Sequence, residues 1–222
     1  MPTNKDHLKY LLLAQKYSTN SLGITYPNPS VGCVIVDYSI QKNGKIISFG
    51  VTGDSGRPHA EEIALKKIKN ISLNTFIYLT LEPCFHKSQT SSCVNQIIKS
   101  GIKNVFIASS DPDSRTNYKS IKKLKKNNIN VNLGLTKELT FLYNRFFYFN
   151  KKFKRSYVSY KIAVSSDLKI AESNYNSKWI SNYYSRRYSQ HLRFKRDAIL
   201  TTYSTIKYDN PRFTLRLNQY PK

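Results

Sequence analysis

Residues 75–109, TFIYLTLEPCFHKSQTSSCVNQIIKSGIKNVFIAS, decide the fold class. TFIYLTL (Thr75 to Leu81) is an apolar run rich in β-branched and aromatic residues and reads as a strand. Val94, Ile97 and Ile98 then recur at helical spacing, and Gly101 is the residue type that ends such a helix. NVFIAS (Asn104 to Ser109) is the next strand. Strand, helix and strand in succession argue for layered α/β architecture, not an all-α or all-β fold.

The same alternation extends outward. Upstream, Leu8, Leu11 and Leu12 mark an amphipathic helix, and VGCVIVD (Val31 to Asp37) reads as a buried strand. KIISFG (Lys45 to Gly50) follows across Asn43-Gly44, a hairpin signal, and Ala60, Ile63, Ala64 and Ile68 share a helix face. Downstream, the pattern predicts a helix over Lys119 to Lys126, a strand over Ile129 to Leu133, and a helix from Lys137 into the aromatic run FFYF. Residues 1–150 thus form one domain. KKFKR (Lys151 to Arg155) reads as a basic connector, after which SYVSYKIAVS starts a strand and Tyr183 to Phe194 a helix of a second domain, residues 151–222.

Three cysteines, Cys33, Cys84 and Cys93, are an odd number, which favours metal or catalytic use over a disulfide framework. Cys33, inside a β-branched run, reads as core. His59-Ala60-Glu61 is followed by Pro83-Cys84 and then Cys93. One imidazole and two thiolates suit Zn²⁺ and leave one tetrahedral position for water, the arrangement of a catalytic site. His59 and Cys93 head predicted helices, whose positive ends favour the thiolate form. Glu61 is left free to move protons beside a metal that lowers the pKa of water to about 7. His-x-Glu with a later Pro-Cys-x-x-Cys is a zinc-deaminase signature, matched here with eight residues between the cysteines instead of two.

These motifs, with Tyr26-Pro27-Asn28-Pro29 before VGCVIV, Leu81-Glu82 before Pro83, the long spacer to Cys93, and Asp111-Pro112, resemble the bifunctional riboflavin-biosynthesis family that joins a pyrimidine deaminase to a reductase. SKWI (Ser177 to Ile180), SRR (Ser185 to Arg187), RDAIL and DNPRFTLR (Asp209 to Arg216) resemble the opening of its reductase. The resemblance implies a cytidine-deaminase-like three-layer α/β/α domain followed by an incomplete dihydrofolate-reductase-like α/β segment. It implies deamination of 2,5-diamino-6-ribosylamino-4(3H)-pyrimidinone 5′-phosphate, with NADPH used only by a complete reductase. Residue by residue, His59, Cys84 and Cys93 would hold zinc, Glu61 would shuttle the proton, and Asn28 and His86 would contact the pyrimidine. In the reductase segment Ser177, Arg193 and Arg216 match substrate positions, and Ala163, Trp179, Thr205 and Asp209 match NADPH positions. The reductase's Gly-rich nucleotide segment would lie beyond residue 222, so the reductase step is expected to be lost, with a homo-oligomer or a separate reductase as partner.

The departures cluster in the substrate pocket. Thr52 stands where the family usually has His, Ser88, Gln89 and Ser91-Ser92 replace Gly, a basic residue and two prolines of the spacer, and Asp113 replaces Asn. Tyr118-Lys119-Ser120 replaces a Gly-x-Gly that lets backbone approach a phosphate. A carboxylate near a phosphate is unfavourable, so the expected phosphate anchor is weakened unless Lys87 or Lys119 compensates. A zinc-binding remnant without turnover is a second reading.

The formal net charge is +23, about twice as dense over residues 151–222, which carry +12, as over residues 1–150, which carry +11. That charge raises a nucleic-acid or nucleoside deaminase as a third reading. With 26 Lys, 20 Asn and 17 Tyr against 8 Gly, the skew follows an AT-rich codon bias, and the eight-residue spacer argues against nucleic acid. No run reaches the roughly 18 apolar residues of a membrane span, and the start has only a three-Leu run, so the chain is expected to be cytoplasmic.

Overall fold

A computed structural model describes residues 2–86, 91–174 and 179–217. The chain divides into two compact units, Met1–Tyr157 and Val158–Lys222. In the first, helix α1 (Asn4–Ser18) precedes strands β1 (Gly32–Asp37) and β2 (Lys45–Val51), helix α2 (Ala60–Lys66) and strand β3 (Thr75–Leu79). Helix α3 (Cys93–Ser100), β4 (Asn104–Ile107), α4 (Lys119–Lys126), β5 (Asn130–Leu133), α5 (Lys137–Tyr143) and α6 (Arg145–Phe153) follow. The five strands form one sheet of order β2-β1-β3-β4-β5. β1 is antiparallel to both β2 and β3, whereas β3, β4 and β5 run parallel.

Successive strand residues point to opposite faces, and the two faces carry two cores. Cys33, Ile35, Ile77, Leu79, Val105 and Ile107 pack with Ala60, Ala64, Val94, Ile97, Ile121 and Leu124 of α2, α3 and α4. Val34, Val36, Tyr78 and Phe106 pack with Tyr10, Leu11 and Ala14 of α1. Each fully buried Ile or Leu contributes roughly 1.5–3 kcal/mol relative to exposure. Helices on both faces make this a three-layer α/β/α unit. Gly50 lets α2 approach: a Cβ there would sit 2.2 Å from the carbonyl oxygen of Ala60.

Several local expectations shift. The buried face of α1 is His7, Tyr10, Leu11 and Ala14, while Leu8 and Leu12 are 39% and 40% exposed. His7 is accommodated because its ring stacks 3.9 Å from that of Phe106 and its Nδ1 meets the Tyr78 hydroxyl at 2.9 Å. Helix α2 stops at Lys66, before Ile68. The helix expected from Lys137 into FFYF is two helices broken at Asn144, whose amide accepts from Ser30 N–H at 2.9 Å and donates to Ser30 C=O at 3.1 Å. Lys151–Phe153, read as connector, are the last residues of α6, so the first unit ends after Tyr157 rather than after Asn150.

In the second unit, α7 (Tyr183–Phe194) is capped by Asn182, and α8 (Tyr203–Asp209) by Thr202. The strand expected over residues 156–165 is not formed. Its β-branched pattern finds no partner among the described residues, and pairing is what makes a strand. Among the described residues no helix is long and apolar enough to cross a membrane.

Candidate metal centre

The parallel strands carry the site at their carboxyl ends, where α/β sheets commonly hold ligands. His59 is the N-cap residue of α2 and Glu61 lies in that helix's first turn. Cys84 follows β3, and Cys93 opens α3. Their ligand atoms, one imidazole nitrogen and two sulfurs, lie within 4.8 Å of one another. His59 Nδ1 is 3.2 Å from Cys93 Sγ, and the Cys93 amide donates to Cys84 Sγ at 3.2 Å. Donors bound tetrahedrally at zinc distances stand roughly 3.5–3.8 Å apart, so the cluster fits that ion with small adjustment.

Hydrogen bonding from the Cys93 thiol, then from His59, holds the Cys84 thiol well below its ordinary range. Cys93 is pushed up by serving Cys84 and by burial, and His59 is raised chiefly by its hydrogen bond to Cys84. A divalent cation replaces the protons these donors otherwise share. Glu61 is 4% exposed; burial pushes its carboxyl up to about 6, with His59 opposing. Cys33 is fully buried, and burial raises its thiol.

A cavity of about 180 Å³ is lined by His59, Glu61 and Cys84 together with Asn28, Thr52 and His86. Asn28 Nδ2 donates to Gly56 C=O at 3.3 Å, and Gly56 is required there, since it has φ +81° and a Cβ would lie 2.1 Å from Asn28 Nδ2. His86 Nδ1 is buried without a hydrogen-bond partner among the described residues, a polar atom available to a ligand. Thr52 ties the chain: its Oγ1 accepts from Val31 N–H at 2.9 Å and its N–H donates to Val31 C=O at 3.0 Å.

Two features escaped the sequence reading. Glu82, 3% exposed, accepts from the amides of Tyr118 at 2.9 Å, Ser120 at 3.1 Å, Asp111 at 3.2 Å and Ile121 at 3.3 Å. The amides expected to approach a phosphate are therefore already held by an internal carboxylate, and Tyr118 reaches them with φ 57°, a left-handed conformation usually left to Gly. Asp113, expected to repel phosphate, is not a bare carboxylate. Arg115 grips it with Nε at 2.9 Å and Nη2 at 2.7 Å, and Lys151 Nζ lies at 2.8 Å, which holds its carboxyl far below the usual range. Of the lysines expected to compensate, Lys119 is not among the cavity's lining residues and Lys87 lies outside the described residues.

In the second unit Arg193 donates to Thr214 C=O at 3.0 Å, and Arg216 N–H donates at 3.2 Å to Gln190, which Arg193 also meets. Arg186 covers the exposed Trp179 ring at 4.3 Å. Thr205 lies in the first turn of α8 and Asp209 ends it; Ala163 is half-buried in a stretch without regular secondary structure. Ser177 lies outside the described residues.

Comparison with known proteins agrees with this arrangement. The cytidine and deoxycytidylate deaminase zinc-binding region matches residues 4–109, and the RibD C-terminal domain matches residues 156–222. The riboflavin biosynthesis protein RibD of Aquifex aeolicus is 36% identical over 207 residues, 93% of this chain and 57% of that protein. The RibD of Escherichia coli is 32% identical over 210 residues, 95% of this chain and 56% of that protein. Among solved structures, a Thermotoga maritima diaminohydroxyphosphoribosylaminopyrimidine deaminase/5-amino-6-(5-phosphoribosylamino)uracil reductase superposes with TM-score 0.89 at 32% identity, over 97% of this chain and 60% of that one. The chain spans little more than half the length of the curated relatives it matches. With both family regions matched in order and the His-Cys-Cys cluster assembled, the chain belongs to the RibD family of riboflavin biosynthesis proteins.

Proposed function

We propose that this chain is a zinc-dependent pyrimidine deaminase of riboflavin biosynthesis, hydrolysing the exocyclic amine of 2,5-diamino-6-ribosylamino-4(3H)-pyrimidinone 5′-phosphate. The observation that carries the reading is a buried carboxyl, Glu61, beside a His-Cys-Cys cluster in one small cavity. Bound by His59, Cys84 and Cys93, zinc supplies a Lewis acid that makes water nucleophilic at neutral pH. Glu61 takes a proton from the attacking water and delivers it to the departing amine, so that ammonia leaves and a carbonyl replaces the C–NH₂ group. Burial suits Glu61 to both roles, because desolvation raises its carboxyl and so favours holding the proton it takes from water. Asn28 and His86 line the same cavity and offer the polar atoms that orient the ring edge. The remaining assignments follow the resemblance. Ser177, Arg193 and Arg216 would go to a ribosyl substrate and Ala163, Trp179, Thr205 and Asp209 to NADPH only in a complete reductase, and the chain works in the cytoplasm.

The test is ammonia release from the diaminopyrimidinone phosphate by the zinc-loaded chain. Glu61→Gln is expected to keep zinc and fold while losing turnover by roughly 10²-fold or more. Wild-type activity in that variant would move the proton-transfer role to another group. Zinc binding by wild type with no ammonia release would favour the remnant.

A further inference from the structure

This inference rests on the deaminase reading and concerns how the same site holds its substrate's phosphate. A cavity of about 180 Å³ accepts a single heterocycle, which leaves a ribose phosphate at its opening. A helix N-terminus would be the ordinary anchor for such an anion, but the leading amides of α4 already donate to Glu82. Side chains must supply the charge. Among the described residues, the Lys and Arg side chains lining the cavity are Arg57, Arg115 and Lys151.

We propose that Arg115 and Lys151, aligned by Asp113, form the subsite for the 5′-phosphomonoester of the deaminase substrate. Asp113 pins both cations, with two contacts from Arg115 and one from Lys151. A guanidinium carries five N–H donors and an ammonium three, so the clamp leaves donors on each for a second anion. Two cations against one carboxylate also leave a net positive charge there. The Lys151 side chain is only 25% exposed, with its ammonium 5.4 Å from the Phe147 ring, so its charge acts through less water than a surface lysine's. Arg115 is more open, at 62%, and its planar fork suits a phosphate face. Lys151 comes from α6, well past the deaminase zinc-binding region at residues 4–109.

The test measures binding of ribose 5-phosphate, and of ribose as control, to the zinc-loaded full chain by equilibrium dialysis. Lys151→Met and Arg115→Met are each expected to weaken ribose 5-phosphate about tenfold, the loss of one charge-assisted contact. Lys152→Met removes the same charge from a neighbouring α6 lysine that does not line the cavity, and is expected to change binding less than about twofold. Lys151→Arg keeps the charge and is expected to restore most of the affinity, which separates lost charge from lost fold. Equal effects of Lys151→Met and Lys152→Met, or wild-type binding of ribose 5-phosphate no tighter than ribose, would overturn the subsite. Ammonia release is scored separately. Turnover with unaltered sugar-phosphate binding in the variants sinks only the subsite, and weakened binding without turnover of any pyrimidine sinks only the deaminase reading.

Discussion

Replacing Glu82 by Gln swaps one oxygen for an amide group, yet it is expected to be among the most damaging single substitutions in the first unit. Oε1 of Glu82 accepts from Ser120 and Ile121, and Oε2 from Asp111 and Tyr118. A carboxylate has acceptors only, whereas a glutamine amide must present N–H₂ to two of these four N–H groups. Two buried donors are then left facing a donor, at about 1–3 kcal/mol each. Burial already penalises the charged form of Glu82, so removing that charge returns part of the loss. The net expectation is roughly 2–4 kcal/mol, a large share of the 5–15 kcal/mol typical of a domain. Glu82→Ala leaves all four amides without their acceptor and is expected to cost more. The only Trp lies in the second unit, so its fluorescence would miss the event. Urea unfolding followed by far-UV circular dichroism, with amide exchange read at Tyr118, Ser120 and Ile121, reports it directly. Because Glu82 is two residues from Cys84, zinc affinity should also fall about tenfold. A Glu82→Gln protein with the wild-type unfolding midpoint and wild-type protection at those amides would refute this account.

Zinc is expected at about one ion per chain, and Cys84→Ala should abolish it in elemental analysis; full metal content in that variant would sink the triad. Asp111 is buried and its carboxyl is pushed up to about 7, chiefly by desolvation. A raised carboxyl pKa means that the folded state holds the proton more tightly than the unfolded one, so stability is lost as pH rises from about 4 through 7. Asp111→Asn should therefore raise stability by roughly 2–4 kcal/mol at pH 8 and by little at pH 4. Parallel thermal melts of the two proteins at both pH values decide it, and a gain independent of pH would count against the burial argument.

The His-Cys-Cys cluster is legible because residue type alone carries it: one His and two Cys at spacings that few unrelated sequences produce. The order of strands and helices was legible from period and from the glycine after α3, which takes φ +83°. What failed depended on partners distant in sequence. Leucines at 8 and 12 outrank His7 and Tyr10 on any hydropathy scale, yet His7 finds Tyr78 and Phe106 on the sheet. The break at Asn144 is set by Ser30, 114 residues away. Glu82 looked like an ordinary motif residue because its partners are backbone amides, which sequence does not display. Asp113 reads as a bare carboxylate from sequence because Lys151, its second cation, comes from a segment that composition marks as a connector.

The cavity contains four carboxyl groups, Glu61, Glu82, Asp111 and Asp113, and an unrelieved cluster of that kind would repel an anionic substrate. Each is relieved differently. Asp113 stays ionised because two cations hold it, and Glu82 has its charge spread over four amides. Asp111, with no cation hydrogen-bonded to it among the described residues, is held near neutrality by a raised pKa, and Glu61 is likewise raised by burial. The consequence is a division of the site by charge. Glu61 and Asp111, raised by burial, exchange protons near neutrality, whereas Glu82 and Asp113 fasten the loops through backbone amides and through Arg115 and Lys151. On the proposed reading, a pocket built in this way would suit a substrate that is neutral at the ring and anionic at its tail, the charge distribution of a pyrimidine ribosyl phosphate.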